Sequence, residues 1–223
     1  DRLGATEAQE KTTRHADTPL MPDTHSRRVG IMRDYNWAKL VDQSDKVKTI
    51  NDPTSAYAQA AKFAMGRKKD SLIIQAASGV AYTGKDGTTS VALPSAQKIA
   101  HGSAGLTLAK LITAREILDS AEIDPDDPRY CIVTAKQVSN LLNTTEVKSV
   151  DYNDIKALVQ VKLDTFIGFK FIRSERLQTD TSSNRLVLCY AKTALGLYVA
   201  KEPKVDIGPR RDKSNATQIY VEM

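Results

Sequence analysis

Only two cysteines, three histidines and one tryptophan occur among the 223 residues. Two cysteines cannot build the disulfide framework of a small secreted domain. Cys131 and Cys189 each sit in an apolar stretch ("YCIV", "LVLCYA"), which predicts buried free thiols and a reducing compartment. No stretch approaches the roughly 18 consecutive apolar residues of a membrane-crossing helix, and the opening "DRLGATEAQEK" is too polar for a signal peptide. Charge of one sign is also missing: 32 Lys and Arg face 27 Asp and Glu, mixed along the chain, so a net charge of +5 reflects no basic block. That balance permits nucleic-acid contact without arguing for it.

With 41% hydrophobic residues, the chain can bury a real core. Residues 1–45 hold few core-type side chains and read as a long solvent-facing hairpin. The character changes at "NDPTSAYAQAAKFAMGRKKDSLIIQAASG". Asp52 can cap a helix, Pro53 suits its first position, and Tyr57, Ala60, Ala61, Ala64, Leu72 and Ala76 follow helical spacing to Gly79. Such a helix would run roughly 37 Å and form a spine for the fold.

"TGKDGTTSVAL" reads as a turn into a short strand, and "LTLAKLITAREILDSAEIDPDDP" as a helix capped at Thr107, striped by Leu108, Leu111, Ile112 and Leu118 and stopped at Asp124 and Pro125. A strand "RYCIV", a helix opened by a Thr134 to Gln137 capping box and a short helix from Asp151 follow. The remainder reads as strands: "GFKFIRS" with Phe169 and Phe171 on one face, "RLVLCYA", "GLYVA" and "ATQIYVEM". This order predicts an α+β fold with an arm attached to a compact body.

Several segments imitate reactive sites. Gly79 to Lys85, "GVAYTGK", satisfies the G-x4-G-K half of a phosphate loop. Asp86 stands where a hydroxyl should hold magnesium, and the segment follows a helix where a strand is required, so a hairpin turn is expected. In "RHADTPLMPDTHSRR", a chain folded back at Leu20 and Met21 would bring His15 opposite His25 and Asp17 opposite Asp23, a two-His, two-Asp zinc set. A tip between Pro19 and Pro22 offers few partners to orient such ligands, so no metal is expected there. His101 lies in a polar connection, no G-x-S-x-G elbow is present, and "DPDDPR" lacks calcium-loop spacing. "GPRRDKS" reads as an exposed basic turn. The chain is therefore expected to be no enzyme and to need no cofactor.

The segments "RHADTPLM" with the following "RR", "DPTSAYAQAAKFAMGRKKD", "AYTGKDGTTSVALPSAQKIA", "LLNTTEVKSVDYNDIKALVQVKLDTFIGFKFIRSERL" and "RRDKSNATQIYVEM" span nearly the whole sequence in order. On them the chain resembles the major capsid proteins of tailed bacteriophages with the Hong Kong 97-type capsid fold. The resemblance implies an extended two-stranded loop over residues 1–36, a peripheral domain with the spine helix over 37–103, an axial domain of mixed strands and helices over 104–203, and return strands of the peripheral domain over 204–223. Relatives usually carry an N-terminal arm and a final peripheral strand that are not seen in this sequence, so both ends are expected to be truncated.

The loop would lie over a neighbouring subunit, with Arg14, His15, Asp17, His25, Arg27 and Arg28 as intersubunit contacts. Implied partners are other copies in the pentamers and hexamers of a shell, packaged double-stranded DNA held non-specifically, and scaffold, portal or decoration proteins, with no membrane. The implied location is the virion, assembled in the host cytoplasm. The rival readings are a soluble phage nucleic-acid-binding protein using Arg210 and Arg211, and a hydrolase with an unrecognised site.

Overall fold

A computed structural model describes residues 2–3, 6–14, 20, 25–42, 44, 54–143 and 165–223. The helix expected from Asp151 and the caps at Asp52 and Pro53 lie outside them. The described chain divides into two compact units, one of residues 1–32 with 79–94, the other of 33–78 with 95–223.

The larger unit is organised on helix α1, Thr54–Ser78. Its 25 residues correspond to roughly 37 Å, as its spacing predicts. Its N-terminal half covers an antiparallel sheet in which β12 (Ala216–Glu222) lies between β11 (Lys204–Arg210) and β4 (Asn36–Val41). Ala61 and Met65 meet Val221 there, flanked by Tyr35, Trp37 and Met223. Lower on the helix, Ile74 packs with Ile132 and Leu177. The residues that turn inward are thus Ala61, Met65 and Ile74; Ala60 and Ala76, expected on the buried stripe, are exposed. A methyl group gains little from burial, so the larger Met65 and Ile74 set the helix's rotation.

A second core lies on a four-stranded sheet ordered β10 (Leu188–Ala191), β7 (Arg129–Val133), β9 (Phe169–Arg173), β8 (Thr165–Phe166). β7 and β9 are parallel, and the other pairs are antiparallel. Helices α2 (Leu108–Ser120) and α3 (Ala135–Leu142) supply Leu111, Ala114 and Leu141 to Cys131, Val133 and Phe169. Phe171 packs beside Phe169, on the face the alternation predicts. Ile112, expected on the inward stripe of α2, is exposed, because its position is about 100° round the helix from buried Leu111.

Thr107 occupies the N-cap position of α2 without a side-chain hydrogen bond, and at the start of α3 the Gln137 side chain accepts a 2.8 Å hydrogen bond from the Thr134 N–H, the Gln half of a capping box. The Asp124 carboxylate accepts from the Asp126 N–H at 3.0 Å, so "DPDDP" is a turn. Lys110 ties the loop before α2 by donating to the carbonyls of His101, Ala104 and Gly105 at 2.7–2.9 Å.

Two elements differ from the sequence reading. "GLYVA" is not a strand: after β10 a 3-10 turn over Lys192–Ala194 leads the chain out of the sheet, leaving Tyr198 exposed. "KVDIGPR", which the local pattern did not show as a strand although the resemblance implied return strands over 204–223, forms β11, whose only neighbour among the described residues is β12. An edge position tolerates Pro209, which has no N–H to donate.

Candidate subunit-contact surface

The smaller unit is built from short antiparallel ladders. β1 (Arg2–Leu3) pairs with β2 (His25–Ser26), and β5 (Ala81–Thr83) lies between β3 (Arg28–Val29) and β6 (Thr89–Val91). The phosphate-loop mimic is the β5–β6 hairpin. Gly84 and Gly87 adopt φ of +92° and +66°, and the Gly87 N–H donates to the Gly84 carbonyl at 3.3 Å. Gly87 also admits a close approach: a Cβ built on it would lie 2.7 Å from Val29 Cγ2. The hairpin is therefore fitted against the strand that returns from the arm.

Among the residues of this unit whose burial is described, 6–14, 20, 25–32 and 79–94, none is buried. Its apolar side chains nevertheless include Ile31, 66% exposed, Met32, 73%, and Val80, 52%, with Val29, Tyr82 and Val91 also open to solvent. Val29, Tyr82 and Val91 stand on ladders of two and three residues, and Ile31, Met32 and Val80 in the chain beside them, where no buried core takes them in.

Of the residues expected at the arm's tip, Arg14, His25, Arg27 and Arg28 are exposed, His25 on β2 and Arg28 on β3. His15 and Asp17 lie outside the described residues, as does Asp23 of the zinc pattern. His25 stands across the ladder from Leu3, and Arg28 across from Thr83. The exposed apolar residues of the same unit were missed in the sequence, since "RRVGIMRD" and "SGVAYTG" are too short to show a face. The only signal was Val29, Ile31 and Met32 close together in a mostly polar arm.

Elsewhere the polar groups serve structure. Arg129 is buried and donates to Asp119 at 2.6 Å, with Arg115 3.5 Å from the same carboxylate. The Arg129 hydrogen bond, together with the charges of Arg129 and Arg115, holds the Asp119 carboxyl below the usual aspartate range. Asp180 is lowered as well, chiefly by the Asn184 side chain and then its backbone N–H, which closes the turn between Thr179 and Arg185. In the basic turn, Arg210 is paired with Asp212. A polar cleft between α1 and residues 174–178 holds Ser71 and Arg176, 3.2 Å apart, together with Asp70 and Glu175, and no His or Lys among the described residues lines it. Among the described residues, no cluster of three His, Cys, Asp or Glu could hold a metal, and no helix is long and apolar enough to cross a membrane.

A family profile described as "Phage capsid protein" matches residues 1–223. The chain belongs to the phage capsid protein family. Its fold is that of solved phage capsid proteins. A "Mycobacterium phage Che8" chain matches at a TM-score of 0.68 and 16% identity, over 99% of this chain and 76% of that one. A chain from the capsid of cyanophage P-SCSP1u matches at 0.63 and 15%, over 99% and 75%. One from the mature capsid of bacteriophage PhiM1 matches at 0.57 and 11%, over 100% and 75%. Among curated proteins none matches the sequence. The α+β class, the family and the role of major capsid protein read from the sequence agree with these findings. Capsid proteins of this family are structural, assemble with copies of themselves into multi-subunit shells and reside in the virion.

Proposed function

We propose that the smaller unit is the part of this capsid protein that grips a neighbouring copy in a Hong Kong 97-type icosahedral shell. The observation that carries this reading is a unit with no buried residue among those whose burial is described, yet with Ile31, Met32 and Val80 more than half exposed. Such a unit gains a stable conformation from apolar burial only against a partner surface. In this reading Arg14, His15, Asp17, His25, Arg27 and Arg28 form the polar rim of the contact, and Ile31, Met32 and Val80 its apolar part. In the family's plan residues 37–103, which include the 79–94 part of the smaller unit, are peripheral, 104–203 axial and 204–223 return to the peripheral sheet.

The shell is built of pentamers and hexamers in the host cytoplasm, with a scaffold, portal or decoration proteins as further partners, and has no enzymatic or membrane role. It encloses double-stranded DNA held by non-specific, salt-sensitive contacts. Arg211 and Lys213 are the exposed cations of the β11–β12 turn, since Arg210 is occupied by Asp212. Electron microscopy and sedimentation of the purified full-length protein test this function. Closed shells are expected, while monomers that shift DNA sequence-selectively at high salt would favour a nucleic-acid-binding protein instead.

A further inference from the structure

The antiparallel register of β7 and β10 sets Cys131 directly opposite Cys189, with the two Sγ atoms 3.5 Å apart and both thiols free. We propose that this pair is an intrachain disulfide site, closed by thiol–disulfide exchange when the protein leaves a reducing environment for one containing a small-molecule disulfide. Cross-strand neighbours have Cβ atoms about 4.5–5.5 Å apart, and a disulfide spans about 3.5–4.5 Å between Cβ atoms with sulfurs about 2.05 Å apart. Closure therefore asks for side-chain rotation and a small approach of two strands already in register, with no change of pairing.

The two sulfurs differ in access. Cys131 is fully buried in the core with Leu111, Val133 and Phe169, whereas Cys189 is partly exposed. The contact with Cys189, then burial, pushes the Cys131 thiol up, and the same contact holds Cys189 down. Its partial exposure makes Cys189 the sulfur that meets the oxidant. Its thiolate attacks the small disulfide, whose S–S bond breaks to release one thiolate and leave a mixed disulfide on Cys189. Cys131 then loses its proton and attacks the Cys189 sulfur, expelling the second half. In sum one small disulfide is reduced to two thiols, two cysteine thiols are oxidised to one disulfide, and the two protons pass to the released thiols.

No other cysteine competes, because the sequence has only these two. The burial of Cys131 leaves Cys189 as the only sulfur a second chain could reach. The bond would fasten β10, the edge strand, to β7 and close the chain between residues 131 and 189. Its timing, at release of particles from the host, rests on the shell reading, while the exchange chemistry does not.

The reduced full-length protein is incubated with oxidised glutathione, quenched by alkylation in denaturant and digested for mass spectrometry. The expected result is loss of both alkylatable thiols, a Cys131–Cys189 linked peptide, two glutathiones released per chain and a melting temperature several degrees higher. The rise should vanish on reduction and be absent in Cys189→Ala. Thiols that stay alkylatable, a stable glutathione adduct on Cys189 or disulfide-linked dimers on a non-reducing gel would each overturn the proposal. Should Cys189→Ala fail to fold, the reduced and oxidised forms of the natural chain supply the same comparison.

Discussion

Gly87 fixes the β5–β6 hairpin to the returning strand of the arm, and replacing it with alanine isolates that connection. The residue sits at φ +66°, and the three atoms nearest an added Cβ all belong to Val29, at 2.7, 3.0 and 3.3 Å. Holding a side chain at positive φ costs about 1–2 kcal/mol. Forcing a methyl into a filled space costs about 1–3 kcal/mol more. With some relaxation of the hairpin, we expect a net local loss of about 2–4 kcal/mol, which raises the open population about 30- to 900-fold at 1.36 kcal/mol per decade. In assembled shells, amide hydrogen exchange should therefore accelerate by that range at residues 81–83 and 89–91, while α1 and the two sheets of the larger unit exchange at their normal rates. Circular dichroism melting of the larger unit should be unchanged. The double variant Gly87→Ala with Val29→Ala should recover part of the loss, since two of the three overlapping atoms are gone and the positive φ remains. Unchanged exchange in the hairpin of Gly87→Ala would refute the close approach and, with it, the claim that the hairpin anchors the arm.

Ile74→Ala should destabilise the larger unit by about 2–4 kcal/mol in urea melts, because it opens a cavity against Ile132 and Leu177 at the lower end of the spine helix. Asp119→Asn should also lower stability, through the buried Arg129 it leaves without a charged partner. The Asp119 carboxyl is lowered in the folded protein, so its contribution is present above the unfolded carboxylate range near pH 4 and fades as pH falls through the lower folded value. The gap in melting temperature between natural and Asp119→Asn chains should accordingly be widest near neutrality and shrink below about pH 4; a gap that grows in acid would contradict this assignment. Magnesium-ATP at millimolar concentration should not shift the melting temperature, since Gly84, Lys85 and Asp86 lie in a hairpin turn.

The elements most legible in the sequence are those that use long-range periodicity. The spine helix could be read because 25 residues with no Pro and with apolar positions at helical spacing have few alternatives. Phe169 and Phe171 marked their strand's buried face for the same reason. Return strands over 204–223 were implied by the resemblance alone; local pattern hid β11 because Gly208 and Pro209 imitate a turn, and only an edge position, which depends on the distant β12 and β4, makes them acceptable. "GLYVA" has strand composition but pairs with none of the described strands after the turn at Lys192–Ala194, a tertiary fact that local pattern cannot contain. The register that brings Cys131 to Cys189 is likewise set by β7 and β10, 58 residues apart at the pair. For the contact surface, the polar tip was visible as composition. Its apolar partners Ile31, Met32 and Val80 became meaningful only once the structure left them with nothing to cover them.

Deleting Thr12 to Arg27 from the full-length protein, with a short turn to close the gap, tests the central claim most directly. None of the described side chains in that segment is buried, so the larger unit should melt within the range of ordinary surface changes, about 1 kcal/mol or less. In a shell the contact recurs at every subunit, and its loss is multiplied over the lattice. Electron microscopy of the deletion variant should therefore show folded protein without closed shells, with circular dichroism melting recorded on the same sample. Normal shells from that variant would contradict the assignment of the arm to subunit contact, and loss of the folded larger unit would show that the segment belongs to the core.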